Sequence, residues 1–300
     1  MMFDAHCETL LKVYKDGNLN SNAYDVDFER LAKYGKAIQM FAIFNEGDLR
    51  IEDIVNLIEL LKTECSRSDL ATFCAGDYIE CDSPVTVLVS IEGVGNTPDF
   101  DIGYIDLLHK SGVRTMSITW NNDNQLCGGI EANNKGLTQE GINALKRMEN
   151  LGMVLDVSHI SDIGFYDALE FENLRIVATH SNSRTVCANN RNLTDEQFKI
   201  LCTKGGVAGI NTYPMFLNGT YTASVTDIIR HIEHFCSLGG ENNIGIGSDF
   251  DGMNHLPQGI NGVEDICKLT KEMQRCGYSD LLIKKIMAGN FLNLMKKILV

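Results

Sequence analysis

Residues 153–184 read MVLDVSHISDIGFYDALEFENLRIVATHSNSR, and this stretch decides the fold. It holds two short apolar runs, MVLDVSH and RIVATHS, which reach His159 and His180. Gly152 bounds the first run, and the Asn173-Leu174-Arg175 turn introduces the second. Between them SDIGFYDALEFEN is long enough for a crossover helix. Near-continuous Val/Ile/Leu runs are typical of buried parallel strands, so the stretch predicts a strand–helix–strand unit. Histidines closing such strands point out of the sheet at its carboxyl end, where α/β folds bind ligands. One such histidine is an ordinary polar side chain. Two on successive strands bring the metal-ligand reading level with the ordinary one.

The same pattern extends outward in both directions. Six further apolar runs carry a polar residue at or near their ends: MMFDAHCE with His6 and Glu8, AIQMFAIF running to Asn45, TVLVSIEG with Glu92, RTMSITWN with Trp120 and Asn121, GGVAGINTYP with Asn211 and Tyr213, and NIGIGSDFDG with Asp249 and Asp251. Amphipathic helical patterns separate the runs, among them RIEDIVNLIELLKTECSR, TQEGINALKRMENLG behind Thr138, and TDEQFKILCTKG behind the capping residue Thr194. Eight strand–helix alternations with no linker or low-complexity segment predict a single (β/α)8 TIM-barrel over residues 1–300; an open doubly wound sheet is the alternative. A barrel of this kind needs about 250 residues. The long segments Asn121–Thr138 and Asn182–Asn192 are expected to shape the mouth of its pocket.

Composition narrows the function classes. A formal net charge of −14 and a pI near 4.9 argue against nucleic acid and anionic membrane as partners. No apolar run reaches the length of a membrane span, and MMFDAHC shows no basic segment leading into an apolar one, so no secretory leader is expected. The ten cysteines are scattered singly with no CxxC pair, which favours free thiols and a reducing cytoplasm over a disulfide framework.

Taken together, the strand-end residues His6, Glu8, Glu92, His159, His180 and Asp249 form a ligand set suited to Zn²⁺ or a similar divalent ion. Side chains alternate along a strand, so His6 and Glu8 are expected on the same side. Glu92 comes from a strand between the others and is the candidate to bridge two ions, which can hold a hydroxide between them. Asp249 is the candidate proton acceptor. SDFDG also resembles an acidic calcium loop, but it lacks the spacing and the final Glu of an EF-hand. Cys7 is expected to face away from His6, His109, His231 and His234 are expected on helix surfaces, and His255 near the mouth. There is no GxSxG elbow, P-loop or strand-linked GxGxxG.

DAHCETL, SIEGVG, LDVSHISD, ATHSNSRTVCANNRNLTDEQ, GINTYPMFL and IGSDFDG occur in the order found in the renal (membrane) dipeptidase family of zinc peptidases, and the closing GNFLNLMKKIL also resembles that family. The resemblance covers essentially the whole chain. It implies a TIM-barrel of the metal-dependent hydrolase type and a two-zinc dipeptidase acting on small dipeptides, commonly a homodimer. In this reading His6 and Glu8 hold one ion, His159 and His180 hold the other, and Glu92 bridges them. Arg191 pairs with the substrate carboxylate, Asp249 shuttles the proton, and Tyr213 lies beside the substrate. Three positions depart from the family pattern: Glu8 replaces the usual Asp, Ala5 a frequent Gly, and Trp120 the mammalian histidine that helps hold the carbonyl oxygen. Trp120 offers a single N–H donor, so Asn121 or Asn124 becomes a candidate replacement. Two alternatives follow from that change. One is a related amidohydrolase acting on a cyclic amide, a lactam or an N-acyl amino acid. The other is a metal-binding barrel with weakened catalysis.

Overall fold

The computed structural model describes residues 1–76, 83–131 and 135–299, and Cys81 lies outside them. The strands are β1 (Met2–Cys7), β2 (Ala37–Phe44), β3 (Ala71–Phe73), β4 (Val85–Glu92), β5 (Thr115–Met116), β6 (Val154–Asp156), β7 (Arg175–Val177), β8 (Ala208–Ile210) and β9 (Ile244–Ile246). Their pairings are parallel and run in the order β7-β6-β5-β4-β2-β1-β9-β8. The two ends of that row meet through a parallel bridge between Ala178 and Ala208, so the sheet is a (β/α)8 barrel and not an open doubly wound sheet. Each of the eight apolar runs contributes one stave.

β3 was not expected from the sequence. It pairs with Val85–Val87 on the edge of β4 that β5 takes up further along, at Ser90 and Ile91. β3 therefore extends one edge of β4 without adding a stave to the ring.

Alternation along β4 shows how the barrel is filled. Val85, Val87, Val89 and Ile91 join the main core beneath the helices. Leu88 instead packs with Phe3, Ile38, Met40, Val154, Val177 and Val207, drawn from staves around the ring, and with Phe291 and Met295 of the closing helix. Glu92 is in phase with Leu88, so the period of two that aims Leu88 inward also aims the Glu92 carboxylate into the barrel mouth.

Two helices start where the sequence predicts. Thr138 and Thr194 cap their helices by accepting from the backbone N–H groups of Gly141 and Gln197, and Ser161 caps the crossover helix Asp162–Ala168 through Gly164. His231 differs from expectation: it is buried, not on the helix surface, because the backbone of Ser183 and Leu217 closes over both ring nitrogens. His234 is half-buried and bonds Asp195 at 2.8 Å. Cys7, Cys65, Cys127, Cys187, Cys202, Cys236, Cys267 and Cys276 form no disulfide.

Candidate metal centre

Five strand ends and the loops that follow them converge on the mouth. His6 lies near the end of β1, Glu92 ends β4, and His159, His180 and Asp249 each lie three residues beyond β6, β7 and β9. Glu92 divides its carboxylate between two partners: Oε2 lies 3.1 Å from His6 Nε2 and Oε1 lies 2.7 Å from His159 Nε2. His159 Nε2 and His180 Nε2 are 2.9 Å apart, and Asp249 Oδ1 is 3.9 Å from His6 Nε2. Ligating atoms of Glu92, His159 and His180 lie within 4.8 Å of one another, as do those of His6, Glu8 and Glu92. Glu8 joins this second group although it has already left the strand, with φ/ψ of −106°/14°. Alternation therefore anticipated the shared side, while the actual geometry comes from a bulge between Asp4 and Cys7 and the turn that follows. Cys7 packs in the core on the other side.

The electrostatics are those of a cation site. Burial, and then the charges of Glu92 and Asp249, push Glu8 up to about 8. Burial likewise raises Asp249 to about 6, with the neighbouring His6 offsetting part of the rise. Burial works against charging His6, yet Glu92, Asp249 and Glu8 together carry it up to about 9. Burial and then Arg191 take His159 down to about 4, and burial and then His6 hold His180 well below the usual imidazole range. Carboxylates crowded this closely lack enough positive charge around them.

The donor set fits divalent metal. His159 Nδ1 faces Asn121 Oδ1 at 2.8 Å, and His180 Nδ1 faces the Thr179 hydroxyl at 2.8 Å. A proton on each of those nitrogens leaves both Nε2 atoms as lone pairs aimed at one another, an arrangement that a cation between them would relieve. His6 Nε2 and Glu92 Oε2 are close but poorly aligned, and both are buried with no hydrogen-bond partner. Imidazole nitrogens and carboxylates in this combination suit zinc and its neighbours.

The backbone is shaped to hold these groups. Asp249 has a left-handed φ of 65°, which Asp tolerates better than most residues, and its Oδ2 accepts from Asn211 Nδ2 at 2.9 Å. Gly93, at φ 80°, follows Glu92; a Cβ there would meet Asn45 O at 2.7 Å.

A cavity of about 160 Å³ opens above the cluster. Glu8, Glu92, His159, Asp249, Arg191, Trp120, Asn121 and Tyr213 line it, with Phe216, Met253 and Asn254. Arg191 is buried: one nitrogen donates to Ser158 O, another lies 3.1 Å from His159 Nε2, and Nε is unpartnered. Its guanidinium also sits 5.3 Å from the Phe216 ring centre. The Trp120 ring packs against Phe44 at a tilt of 59°, with ring centres 4.9 Å apart. Asn124 lies outside the lining: its amide nitrogen donates to Asn96 and Ile118, and its oxygen accepts from the backbone of Leu126 and Cys127. Asn121 is the asparagine of that loop that faces the cluster.

Sequence reading passed over Asp156, Thr179 and Ser158, which lie inside the two runs it began from and support the histidines from below. It noted Asn211 as a polar strand end without giving it a role.

Comparison with known proteins bears on the fold and the family. An uncharacterized protein from the pqqA 5′ region of Klebsiella pneumoniae is 31% identical over 266 residues, 84% of this chain and 96% of that protein. An uncharacterized dipeptidase of Schizosaccharomyces pombe is 31% identical over 240 residues, 75% of this chain but only 56% of its own length. Among solved structures, a metallo peptidase from Rhodobacter sphaeroides liganded with a phosphinate mimic of the dipeptide L-Ala-D-Ala superposes with a TM-score of 0.87 at 25% identity, covering 98% of each chain. The membrane dipeptidase family model, peptidase family M19, matches residues 1–299. A barrel of this topology, with histidines and carboxylates at its mouth and a family match over nearly every residue, places the chain in the membrane dipeptidase family of metallo-dipeptidases.

Proposed function

We propose that this chain is a zinc-dependent dipeptidase that binds two ions per barrel. The observation that carries the reading is the division of Glu92, whose two oxygens face His6 at 3.1 Å and His159 at 2.7 Å. A carboxylate presented this way suits a bridge between two cations. His6 and Glu8 would hold one ion, and His159 and His180 the other. Ions bound there would acidify a water between them and polarise the substrate carbonyl.

The chain's own residues supply the rest. Asp249, which lines the cavity with Oδ1 3.9 Å from His6 Nε2, is positioned to accept a proton and return it to the leaving amine. Arg191 offers a planar fork suited to a terminal carboxylate, and its Nε has no other partner. Tyr213 and Trp120 wall the pocket, whose volume of about 160 Å³ suits a small dipeptide. The free thiols of Cys7, Cys65, Cys127 and Cys187 support a cytoplasmic setting. Family resemblance supports a homodimer.

The test is a dipeptide panel run on zinc-loaded protein beside the Asp249→Asn variant. Dipeptides with a free carboxylate should turn over, and the variant should lose about 10²–10⁴-fold in kcat. Unchanged activity in the variant would remove Asp249 from the mechanism. A second reading, an amidohydrolase acting on a cyclic or N-acyl amide, is favoured by Trp120, which brings only one N–H to the pocket. Turnover that survives Arg191→Met would favour a substrate without a carboxylate.

A further inference from the structure

One hydroxyl lies beneath both halves of the cluster. Thr179 is buried between His180 and His6: its Oγ1 is 2.8 Å from His180 Nδ1 and 3.4 Å from His6 Nδ1. The same oxygen is 2.5 Å from Asp156 Oδ2. The other oxygen of Asp156 is fully engaged as an acceptor, taking the backbone N–H groups of Thr179 and Ser158 at 3.0 Å each and the Ser158 hydroxyl at 2.6 Å.

A hydroxyl has one proton to give and two lone pairs to offer. Asp156 takes the proton. The lone pairs are then left for N–H donors, and the two Nδ1 atoms are within reach. Each imidazole that donates from Nδ1 must present Nε2 as a bare ligand. The backbone keeps Thr179 in place: a Cβ at Gly209 or Gly247 would lie 2.0 or 1.7 Å from the Thr179 carbonyl oxygen, so both glycine strands press directly on it. Ligating atoms of His6, Asp156 and His180 also lie within 4.8 Å of one another. With Thr179 Oγ1 standing among them, they act as a hydrogen-bonded support and not as another ion site.

We propose that Thr179, oriented by Asp156, is a positioning residue that sets the tautomer of His6 and His180 together and so links the two ion positions. The inference rests on the two-ion reading above. It separates Thr179 from Asn121, which touches only His159 and so serves one position.

The experiment is equilibrium dialysis of the full chain against buffered Zn²⁺, with metal content measured per chain, and Co²⁺ absorption spectra as a second readout. Thr179→Ser should behave like the wild type. Thr179→Val should weaken both equivalents by about 10–100-fold, the usual effect of losing a ligand's hydrogen-bond partner. Asn121→Ala should weaken one equivalent only. Asp156→Asn covers the case in which the valine variant does not fold. The three donors at Oδ1 require the amide oxygen there, so the amide nitrogen faces Thr179 and turns its single hydroxyl proton toward one imidazole, which should weaken at least one equivalent. If the wild type binds two ions and neither Thr179→Val nor Asp156→Asn weakens them, or Thr179→Val weakens only one equivalent, the inference falls and the two-ion reading stands. Wild-type protein that takes up no divalent ion brings down both.

Discussion

The imidazole of His231 accepts a hydrogen bond at Nδ1 from the backbone N–H of Ser183, 3.1 Å away and 48 positions earlier in the chain. Its Nε2 donates to Leu217 O at 2.9 Å. The ring is therefore held neutral by geometry, and burial lowers it to about 4. An unfolded histidine titrates near 6.5, so between those values the unfolded chain binds more protons and the folded state loses stability as pH falls. The contribution of His231 is intact above pH 6.5 and lost on the way down to 4. From pH 7 to pH 5 it should cost about 2 kcal/mol. Urea denaturation at both pH values should show that drop, and a His231→Gln variant should show a smaller one.

Gly247 is the tightest point of the barrel floor beneath the site. Its φ is ordinary, so the constraint is space alone: a Cβ would lie 1.7 Å from the carbonyl oxygen of Thr179. Backbone cannot swing aside as a side chain can. Gly247→Ala should destabilise by at least about 2 kcal/mol. Thermal melting should detect it, whereas Gly205→Ala, with nothing within 4 Å but a φ of +72°, should cost only the smaller backbone penalty of about 1 kcal/mol.

Trp120 is the sole tryptophan of the chain and lines the cavity, with its ring centre 6.3 Å from that of His159. Indole emission is thus a built-in reporter of the site. Titrating the apo protein with Co²⁺ should quench it with saturation, and EDTA should restore it. Emission that does not respond to a metal shown to bind by dialysis would place the ions elsewhere.

Arg191 tests substrate reading. Lysine keeps the charge but loses the planar fork. Arg191→Lys should raise KM for dipeptides by roughly 10-fold or more, the effect of about 1.4 kcal/mol of lost binding, and leave hydrolysis of carboxyl-blocked analogues unchanged. Initial-rate kinetics on matched free and amidated substrates would show the split.

The ring of staves was legible because each carries an uninterrupted apolar run, and the strand-end polar residues stood out against those runs. β3 escaped because it has three residues, of which only Ala71 is fully buried. Asp156 and Thr179 escaped for a different reason. They are single polar residues within apolar runs, and nothing local shows that one orients the other across 23 positions. Asn124 and Asn121 look interchangeable in WNNDN, yet only the folded loop decides that one amide is consumed by its own backbone while the other meets His159. His231 was assigned to a helix surface from its spacing with His234, and the loop that buries it is remote in sequence.

The place of β1 in the ring, between β2 and β9, has a consequence for synthesis. During synthesis β1 emerges with one edge unpaired, and the partner for that edge, Ile244–Ile246, follows more than two hundred codons later. At about 5–20 residues per second the delay is on the order of ten seconds or more. His6 leaves the ribosome at the start of that interval and Asp249 at its end. The ring cannot shut until that strand is made, so the pocket at its mouth, with His6 on one side and Asp249 on the other, is complete only after β9 has emerged.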